Sequence, residues 1–512
     1  MKKLIITFLI LSSVSCAFAQ FTDRYWCFGD SAGINFQNLN NPVPSQSILR
    51  ARGTCASVCN SEGNLLFYAG SPHTELWTTG HYRVGYVINK MDTIMMNGDS
   101  LNSSTWYQEM TIIPNPSDSN HFYLFHIGVT QSLFPGFYYS LVDLSYNSGL
   151  GKVIQKNIQL QSFPVCDGIA AVKHGNGRDW WVMFRRWDPS GTTNNEFYTY
   201  LITKYGMQGP FIQNIGHQHA NSFNRLVFST DGLKLYCCTN RNLLEVYDFD
   251  RCSGLLSNVW TINDQFGTVP QSGYWSLAVS PDKSKLYLTA DDEFPPYNTS
   301  YLFQYNLNDP DPLLTADTLY TDTGQVSVGL VRLAPDGKVY FSSIDYTPDS
   351  EFFYLYDSAH YNNFNMNLGV VNQPDSLGSS CQFTPFSFYL GGHRTYAGLP
   401  NNPNYELDPD TNSICDTITV VNDLPQHLKE KLYVWFNSQW QTAFINAQHL
   451  IGKSYALQIY DVEGRNIFKE EGKLDSEFYS KNLNCASFSS GMYIISLTTE
   501  NEMLNQKFII EK

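Results

Sequence analysis

Residues 228–236 have the sequence Phe228-Ser-Thr-Asp231-Gly232-Leu-Lys-Leu235-Tyr236, and the same pattern returns further along the chain. An apolar strand leads into a tight turn, and a second strand containing tyrosine leads back. Proline fixes φ at the first turn position, and aspartate and glycine adopt the conformations that follow. Each copy therefore predicts a β-hairpin. Two further clear copies are Val279-Ser-Pro281-Asp282-Lys-Ser-Lys-Leu286-Tyr287 and Leu333-Ala-Pro335-Asp336-Gly337-Lys-Val339-Tyr340.

Three weaker copies precede these hairpins, at 61–68, 117–123 and 174–181. The turn residues of the six copies follow one another at intervals of 52 to 57 residues: Gly63, Asn120, Gly177, Gly232, Ser284 and Gly337. A further tyrosine-rich strand follows each clear hairpin, at 244–249, 302–307 and 353–357. Unrelated hairpins in stacked sandwiches would not keep an even period, whereas four-stranded propeller blades do. The repeat predicts an all-β fold built around a β-propeller.

A seventh unit is predicted from the two ends of the repeat region. Residues 380–389 form its inner strand in this interpretation, and residues 25–28 and 33–36 form its outer strands. Such pairing closes the ring and removes exposed sheet edges. We therefore predict a seven-bladed propeller over residues 20–395, with six or eight blades as alternatives.

The composition agrees with a β fold and bears on partners. Aromatic residues make up 15% of the chain and charged residues only 15%, which is poor in the residues that helices favour. The formal net charge is -15, and no long basic stretch occurs. Because affinity for nucleic acid depends on clustered lysine and arginine, nucleic acid is not an expected partner.

The first nineteen residues have the pattern of a secretory signal peptide. Lys2 and Lys3 precede an apolar run, and Ala17-Phe18-Ala19 supplies a small-x-small cleavage site. The run is shorter than the ~20 apolar residues that a spanning helix needs. A lipoprotein would use Cys16, but the residues before it lack the expected leucine. The prediction is a signal peptide over 1–19 and no transmembrane segment in the mature chain.

Cleavage at that site leaves ten cysteines in an oxidising compartment, where disulfides form. A bond such as Cys381 to Cys415 is one option, although sequence does not assign the pairing. The cysteine spacing is not that of a zinc site. His217 and His219 form a two-histidine pair without a third ligand at fixed spacing, and no cofactor motif occurs, so neither a metal nor a cofactor is predicted.

Residues 396–424 are rich in proline, asparagine and aspartate and are predicted to be a linker. Alternating apolar and polar residues in 425–512 then predict a small sandwich of six or seven strands, immunoglobulin-like in kind. The segment contains an ordered set of motif residues: Tyr460, Asp461, Gly464, Arg465, Gly491, Tyr493, Lys507 and Phe508.

These motif residues resemble the type A C-terminal sorting domain of the type IX secretion system of Bacteroidota. The stretch Trp26-Cys-Phe28-Gly29 with Gly33-Ile34-Asn35-Phe36 also resembles the opening of a group of secreted bacterial propellers. The resemblance implies that the type IX machinery is a partner. It also implies a secreted or outer-membrane surface location, after export through the periplasm.

Ligands of propellers usually bind at the mouth of the central channel, beside the entrances of the inner strands. The residues predicted there are Trp106, Tyr107, Glu109, Asp167, His219, Asn221, Tyr274, Trp275, Arg332 and Gln382. Such a mixture suits stacking and hydrogen bonding to an extracellular glycan or protein. The alternative is that these side chains only fill the channel and bond to one another. The main hypothesis is a non-enzymatic binding module, in which Trp275→Ala weakens binding about thirtyfold without altering thermal stability.

The alternative hypothesis is an extracellular glycan-active hydrolase or lyase with its site at the channel mouth. In that case Glu109 and Asp167 would form the acid and base pair of the reaction.

Overall fold

The computed structural model describes residues 21–71, 84–103, 106–128, 134–188, 190–263, 272–292, 299–323, 326–345, 360–411, 413, 415, 432–437, 441–447, 450, 454–474 and 479–510. The predicted signal peptide lies outside this range. Within it, no helix is long and apolar enough to cross a membrane.

Residues 25–389 form seven antiparallel sheets, which are the blades of a propeller. Blades 1 to 3 consist of β1 (Tyr25–Phe28), β2 (Asp30–Asn35) and β3 (Val43–Arg50); β4 (Cys55–Cys59), β5 (Leu65–Gly70), β6 (Val84–Asn89) and β7 (Leu101–Asn102); and β8 (Met110–Asn115), β9 (Asp118–Gly128), β10 (Gly136–Asp143) and β11 (Lys152–Gln161).

Blades 4 and 5 consist of β12 (Val165–Lys173), β13 (Trp180–Arg186), β14 (Asn194–Thr203) and β15 (Gly206–His219); and β16 (Arg225–Phe228), β17 (Lys234–Cys238), β18 (Leu244–Asp250) and β19 (Leu255–Asn263). Blades 6 and 7 consist of β20 (Ser272–Val279), β21 (Lys285–Asp292), β22 (Thr299–Asn306) and β23 (Asp317–Thr323); and β24 (Val326–Leu333), β25 (Val339–Asp345), β26 (Asn367–Val371) and β27 (Phe383–Tyr389). Short 3-10 turns lie at Asn147–Gly149 and Gly378–Cys381.

The first strand of each of blades 2 to 7 is the innermost, because these strands pack against one another around the ring. Each of the six predicted turn residues lies at or next to the connection between the first and second strands of its blade, so the hairpin prediction is confirmed. Glycine suits the turn at Gly232 because φ is 73° there, a value that L side chains rarely adopt. The predicted third strands at 244–249 and 302–307 are confirmed as β18 and β22. The prediction at 353–357 falls outside the described residues, and β26 is the third strand of blade 7.

The prediction of seven blades is confirmed, but the predicted inner strand at 380–389 is wrong. Residues 383–389 form β27, the outermost strand of blade 7, where alternate side chains face solvent. The N-terminal strands form blade 1 as a three-stranded sheet with β1 on its inner side. Blade 7 packs on that sheet through Tyr340, whose ring centroid lies 5.8 Å from Trp26 and 5.7 Å from Phe36.

Residues 394–402 lie between the inner strands of blades 7 and 2, and we call them the closing segment. The segment contacts residues just outside both ends of β1: the N–H of Asp30 donates to the carbonyl of Arg394 at 2.8 Å, and the side-chain amide of Asn402 donates to Asp23 at 2.6 Å. On one side Leu330 of β24 donates its N–H to Ala397, and on the other Asn401 donates its N–H to Cys55 of β4. The segment therefore joins blade 7 to blade 2 and closes the ring. The predicted pairing of 380–389 with the N-terminal strands is wrong, because residues 383–389 pair with β26 and the N-terminal strands form a sheet of their own.

Residues 403–411 then cross the end of the channel where the hairpin turns lie, and we call them the cap segment. The side-chain amide of Asn404 donates to the carbonyl of Thr230, and the N–H of Asp410 donates to the carbonyl of Gly175. Tyr405 is buried and donates to the carbonyl of Ile112. Beyond the cap, Cys415 forms a disulfide with Cys252, whereas Cys381 is a buried free thiol. Residues 396–411, predicted as part of a linker, are thus packed against the propeller because their asparagine and carbonyl groups bond to its inner strands.

The described C-terminal strands form a two-sheet sandwich around one core. The sheets consist of β28 (Leu432–Asn437), β29 (Thr442–Ala447) and β32 (Tyr479–Asn484); and β30 (Ser454–Asp461), β31 (Asn466–Lys473), β33 (Gly491–Thr499) and β34 (Met503–Ile510). This confirms the predicted immunoglobulin-like sandwich.

The motif residues of this sandwich build its turn and its core. The carboxylate of Asp461 accepts hydrogen bonds from the N–H groups of Glu463 and Arg465, at 3.0 and 2.9 Å, and from Nε of Arg465 at 2.7 Å. Gly464 has a φ of 78° in that turn. Buried Tyr493 and Phe508 pack together with ring centroids 5.7 Å apart. The remaining motif residues have structural places as well: Tyr460 is half-buried on β30, Gly491 begins β33, and Lys507 is exposed on β34.

Candidate functional site

An aromatic cluster lies where the inner strands of blades 3, 5 and 6 begin. The rings of Tyr107, Phe223 and Trp275 meet edge to face, with centroids 5.2 to 6.0 Å apart. Trp106 contacts the cluster through Tyr107, at 6.3 Å. Trp106 and Trp275 remain partly exposed, while Tyr107 and Phe223 are buried. The structure therefore places the two predicted tryptophans on one aromatic cluster, where both contact the buried ring of Tyr107.

Two arginines that the sequence analysis did not single out complete this cluster. The guanidinium of Arg225 lies 5.3 Å from the ring centroids of both Tyr107 and Phe223, and its Nε donates to the carbonyl of Trp275 at 3.1 Å. Arg52 donates to the hydroxyl of Tyr107, also at 3.1 Å. Burial lowers the pKa of Arg225. An arginine that begins an inner strand beside aromatic residues is the sequence signal that would have indicated Arg225.

The two predicted carboxylates are buried and hydrogen bonded to the protein. Asp167 is 1% exposed, and its oxygens accept the N–H groups of Tyr107 at 3.1 Å and Gln108 at 2.9 Å. Burial raises the pKa of Asp167, although the charge of Arg225 opposes this shift. Glu109 is fully buried and accepts hydrogen bonds from Ser103 Oγ and the N–H of Trp106. Both carboxylates hold the backbone of the mouth in place.

His219 and Asn221 lie at the end of β15 and in the connection to β16. Burial, with the nearby charges of Arg185 and His217, lowers the pKa of His219 to about 2. The side-chain oxygen of Asn221 accepts a hydrogen bond from the N–H of Phe223 at 2.9 Å and so orients the backbone that carries the Phe223 ring. His217 instead pairs with buried Glu245, its Nδ1 lying 2.7 Å from Oε1. In the described part of the chain, no three His, Cys, Asp or Glu side chains are grouped as metal ligands would be.

Three predicted mouth residues lie elsewhere. Tyr274 is buried between blades 5 and 6, where Asn263 donates to its hydroxyl at 2.6 Å. Arg332 lies deep in β24 and forms an ion pair of 2.8 Å with Asp23. It also donates to the carbonyls of Pro400 and Asn402, so it holds the closing segment in place. Gln382 is exposed before β27. These placements differ from the prediction because Tyr274 points between blades, Arg332 is the seventh residue of its strand, and β27 is an outer strand.

The buried His219 predicts a loss of stability in mild acid. Its pKa is about 2 when folded and near 6.5 when exposed, so below pH 6.5 the unfolded chain binds a proton that the folded chain does not. This group alone is expected to lower the free energy of unfolding by about 2 kcal/mol between pH 7 and pH 5. Urea unfolding of His219→Phe at pH 7 and pH 5 should show a decrease in the free energy of unfolding that is about 2 kcal/mol smaller than that of the natural chain. An unchanged decrease in the variant would contradict a neutral, buried His219.

Comparison with known proteins identifies the C-terminal part of the chain. Residues 410–511 match the family described as secretion system C-terminal sorting domain, which confirms the predicted sorting domain. The chain is thus a seven-bladed propeller joined to a sorting domain, and that domain implies export to the cell surface or the medium. No curated protein matches the chain.

Several solved structures are similar to this chain at low identity. A candidate 6-phosphogluconolactonase from Bacteroides fragilis has 10% identity and a TM-score of 0.43, with 73% of this chain and 96% of that chain covered. The periplasmic gluconolactonase of Pseudomonas aeruginosa also has 10% identity and a TM-score of 0.43, with 73% of this chain and 98% of that chain covered. A quinoprotein alcohol dehydrogenase-like protein from Bacteroides thetaiotaomicron has 11% identity and a TM-score of 0.35, with 73% of this chain and 75% of that chain covered. Likeness at this level carries no information about what the chain binds or does.

Proposed function

We propose that the propeller is a non-enzymatic binding module for an extracellular glycan or protein, exported through its type IX sorting domain after the signal peptide has been removed. The observation that carries the proposal is the state of the two carboxylates at the mouth. Asp167 and Glu109 are 1% and 0% exposed, and the oxygens of both accept hydrogen bonds from the mouth's own backbone. Neither presents a carboxylate to a substrate.

A glycan-active hydrolase needs two carboxyl groups that face the scissile bond at a fixed separation. At this mouth, moving either carboxylate toward a substrate would leave buried N–H groups without acceptors, which costs about 1–3 kcal/mol for each group. Aromatic faces beside polar groups are instead the usual equipment of a site that holds a sugar or an extended peptide. Trp106 and Trp275 supply such faces at the channel mouth.

The two tryptophans are expected to respond differently to replacement by alanine. Trp106 contacts one ring of the cluster, whereas the Trp275 ring packs on two buried rings, those of Tyr107 and Phe223. We expect Trp106→Ala to weaken binding about thirtyfold, as loss of one aromatic contact of about 2 kcal/mol predicts, with an unchanged unfolding midpoint. Trp275→Ala is expected to weaken binding and also to lower stability by about 3 kcal/mol. This replaces the expectation from sequence that Trp275→Ala leaves stability intact.

The measurement is a screen of the purified chain on glycan and peptide arrays, followed by titration of the strongest ligand with both variants. Tyr389→Ala is the matched control, because Tyr389 is 55% exposed on the outer strand of blade 7 and should leave affinity unchanged. If Trp106→Ala bound as tightly as the natural chain, or Tyr389→Ala lost affinity equally, the binding face would not be at the mouth.

A further inference from the structure

One end of the four-stranded sheet of the sorting domain carries exposed apolar side chains on its outer face. Met492 and Ile494 lie on β33 and Ile509 lies on β34, and they are 42%, 37% and 59% exposed. Met492 pairs with Ile509 in the sheet register, so their side chains lie side by side. All three point away from the sandwich, because the residues that alternate with them, such as Tyr493 and Phe508, belong to its core. They form one adjoining apolar surface, which we call the outer patch.

Two residues of the sorting motif border the outer patch. Ile494 pairs with Tyr460 of β30 on one side and with Lys507 of β34 on the other, so the three side chains share the outer face. Tyr460 is half-buried and donates its hydroxyl to Gln458 at 2.9 Å. Lys507 is exposed and forms no ion pair with a carboxylate of the described residues. Unlike the motif residues in the turn and the core, these two are therefore available to a partner.

The rest of the outer face is mostly polar. Gln458, Lys469 and Asn505 occupy positions of that kind on three of its strands. Met503 is 63% exposed, but it lies about 20 Å along β34 from Ile509. Single exposed apolar residues are ordinary at protein surfaces, whereas a group of them beside an aromatic ring and a charged rim is typical of an interaction site. The outer patch has the second composition.

We propose that the outer patch docks the sorting domain on the type IX secretion machinery, at a receptor surface that is apolar and places a carboxylate opposite Lys507. The inference rests on the proposed export through this domain. Two observations support this occupant: residues of the sorting motif lie on the patch, and Lys507 is positive on a chain of net charge -15. An acidic receptor attracts Lys507 and repels most of the chain, so the charges favour one orientation of docking.

A double variant, Met492→Gln with Ile509→Gln, removes the apolar surface and keeps side chains of similar size. Cell fractionation should find this variant in the periplasm, with at least tenfold less at the surface or in the medium than for the natural chain. Its unfolding midpoint should be unchanged, because both side chains are exposed. Met503→Gln is the matched control on the same face and should be exported normally.

Lys507→Glu tests the charge by itself and is also expected to lower export at least tenfold. Lys473→Glu is its matched control, because it makes the same change of charge at an exposed position at the far end of the sheet, and it should be exported normally. If the double variant failed to fold, the comparison of these two lysine variants would decide the proposal.

Normal export of the folded double variant or of Lys507→Glu would overturn the proposal, and so would an equal loss of export in Met503→Gln. Failure of the proposed export function gives a different result, because the chain without residues 425–512 would then still be exported. If a second copy of the chain covers the patch instead, analytical ultracentrifugation should show a dimer that the double variant abolishes while export continues. That outcome would also overturn the proposal.

Discussion

A chain that ends at residue 393 is expected to lose the cooperative unfolding of the propeller, whereas a chain that ends at residue 415 is expected to keep it. The shorter chain lacks the closing and cap segments, including the buried side chains of Tyr396, Leu399, Tyr405 and Leu407. At about 1.5–3 kcal/mol for each buried side chain, the loss is about 6–12 kcal/mol. That is comparable to the whole stability of a typical domain, about 5–15 kcal/mol. Thermal unfolding followed by tryptophan fluorescence and calorimetry measures the difference.

The longer chain also retains the disulfide between Cys252 and Cys415, so the comparison needs a control for it. Cys415→Ser in the chain that ends at 415 removes the bond and keeps both segments. Removal of a disulfide typically costs about 2–4 kcal/mol, so this variant should unfold at a lower temperature but still cooperatively. Equal unfolding of the chains that end at 393 and 415 would show that residues 394–402 do not close the ring.

Deletion of residues 425–512 is expected to stop export beyond the periplasm and to leave the propeller folded there. Apart from residue 512, the deleted part lies within the match to the sorting domain at 410–511, while the closing segment, the cap segment and Cys415 all remain. Cell fractionation with detection of the propeller should find the truncated chain in the periplasm and the complete chain at the surface or in the medium.

A point variant separates sorting from loss of the whole domain. Asp461→Ala removes the acceptor for two N–H groups and for Arg465 in the motif turn, so it is expected to reduce export while leaving the propeller intact. Lys473→Ala, at an exposed position that ends β31, is the matched control and should be exported normally. Normal export of the chain that lacks 425–512 would refute the sorting assignment.

The blades were predictable because their signal is local. Turn residues such as Asp231 with Gly232 determine a hairpin within nine residues, and even spacing of the copies implies a ring. The sorting domain was predictable for a similar reason, since Asp461, Gly464 and Arg465 build one turn within five residues. In both places the residues that form the pattern also make the contacts.

The closing segment was not predictable, because its contacts are remote in sequence and made by polar groups. Asn401 bonds to the carbonyls of Met110 and Ile169, and Asn402 bonds to Asp23 and Ser57. Such a segment has no apolar alternation, and its composition is that of a linker. Apolar alternation at 380–389 indicated a strand correctly but could not distinguish an inner strand from an outer one.

The candidate site was predicted only in part, because its contacts also join residues that are remote in sequence. Trp106, Asp167 and Trp275 all contact Tyr107, since they adjoin inner strands of different blades. Sequence did not show that Asp167 of blade 4 bonds to the backbone of blade 3, or that Arg225 lies among the rings. These features depend on side-chain direction across blade interfaces.

We expect the exported propeller to bind its ligand without altering it. The most direct test incubates the purified chain with the strongest glycan or peptide from the arrays and then measures new reducing ends, new unsaturated sugar ends or new amino termini by mass spectrometry. A binding module should give saturable binding and full recovery of the unchanged ligand after many half-lives of the complex. Recovery of cleaved ligand, in amounts that rise with time and vanish in Glu109→Gln or Asp167→Asn, would contradict it.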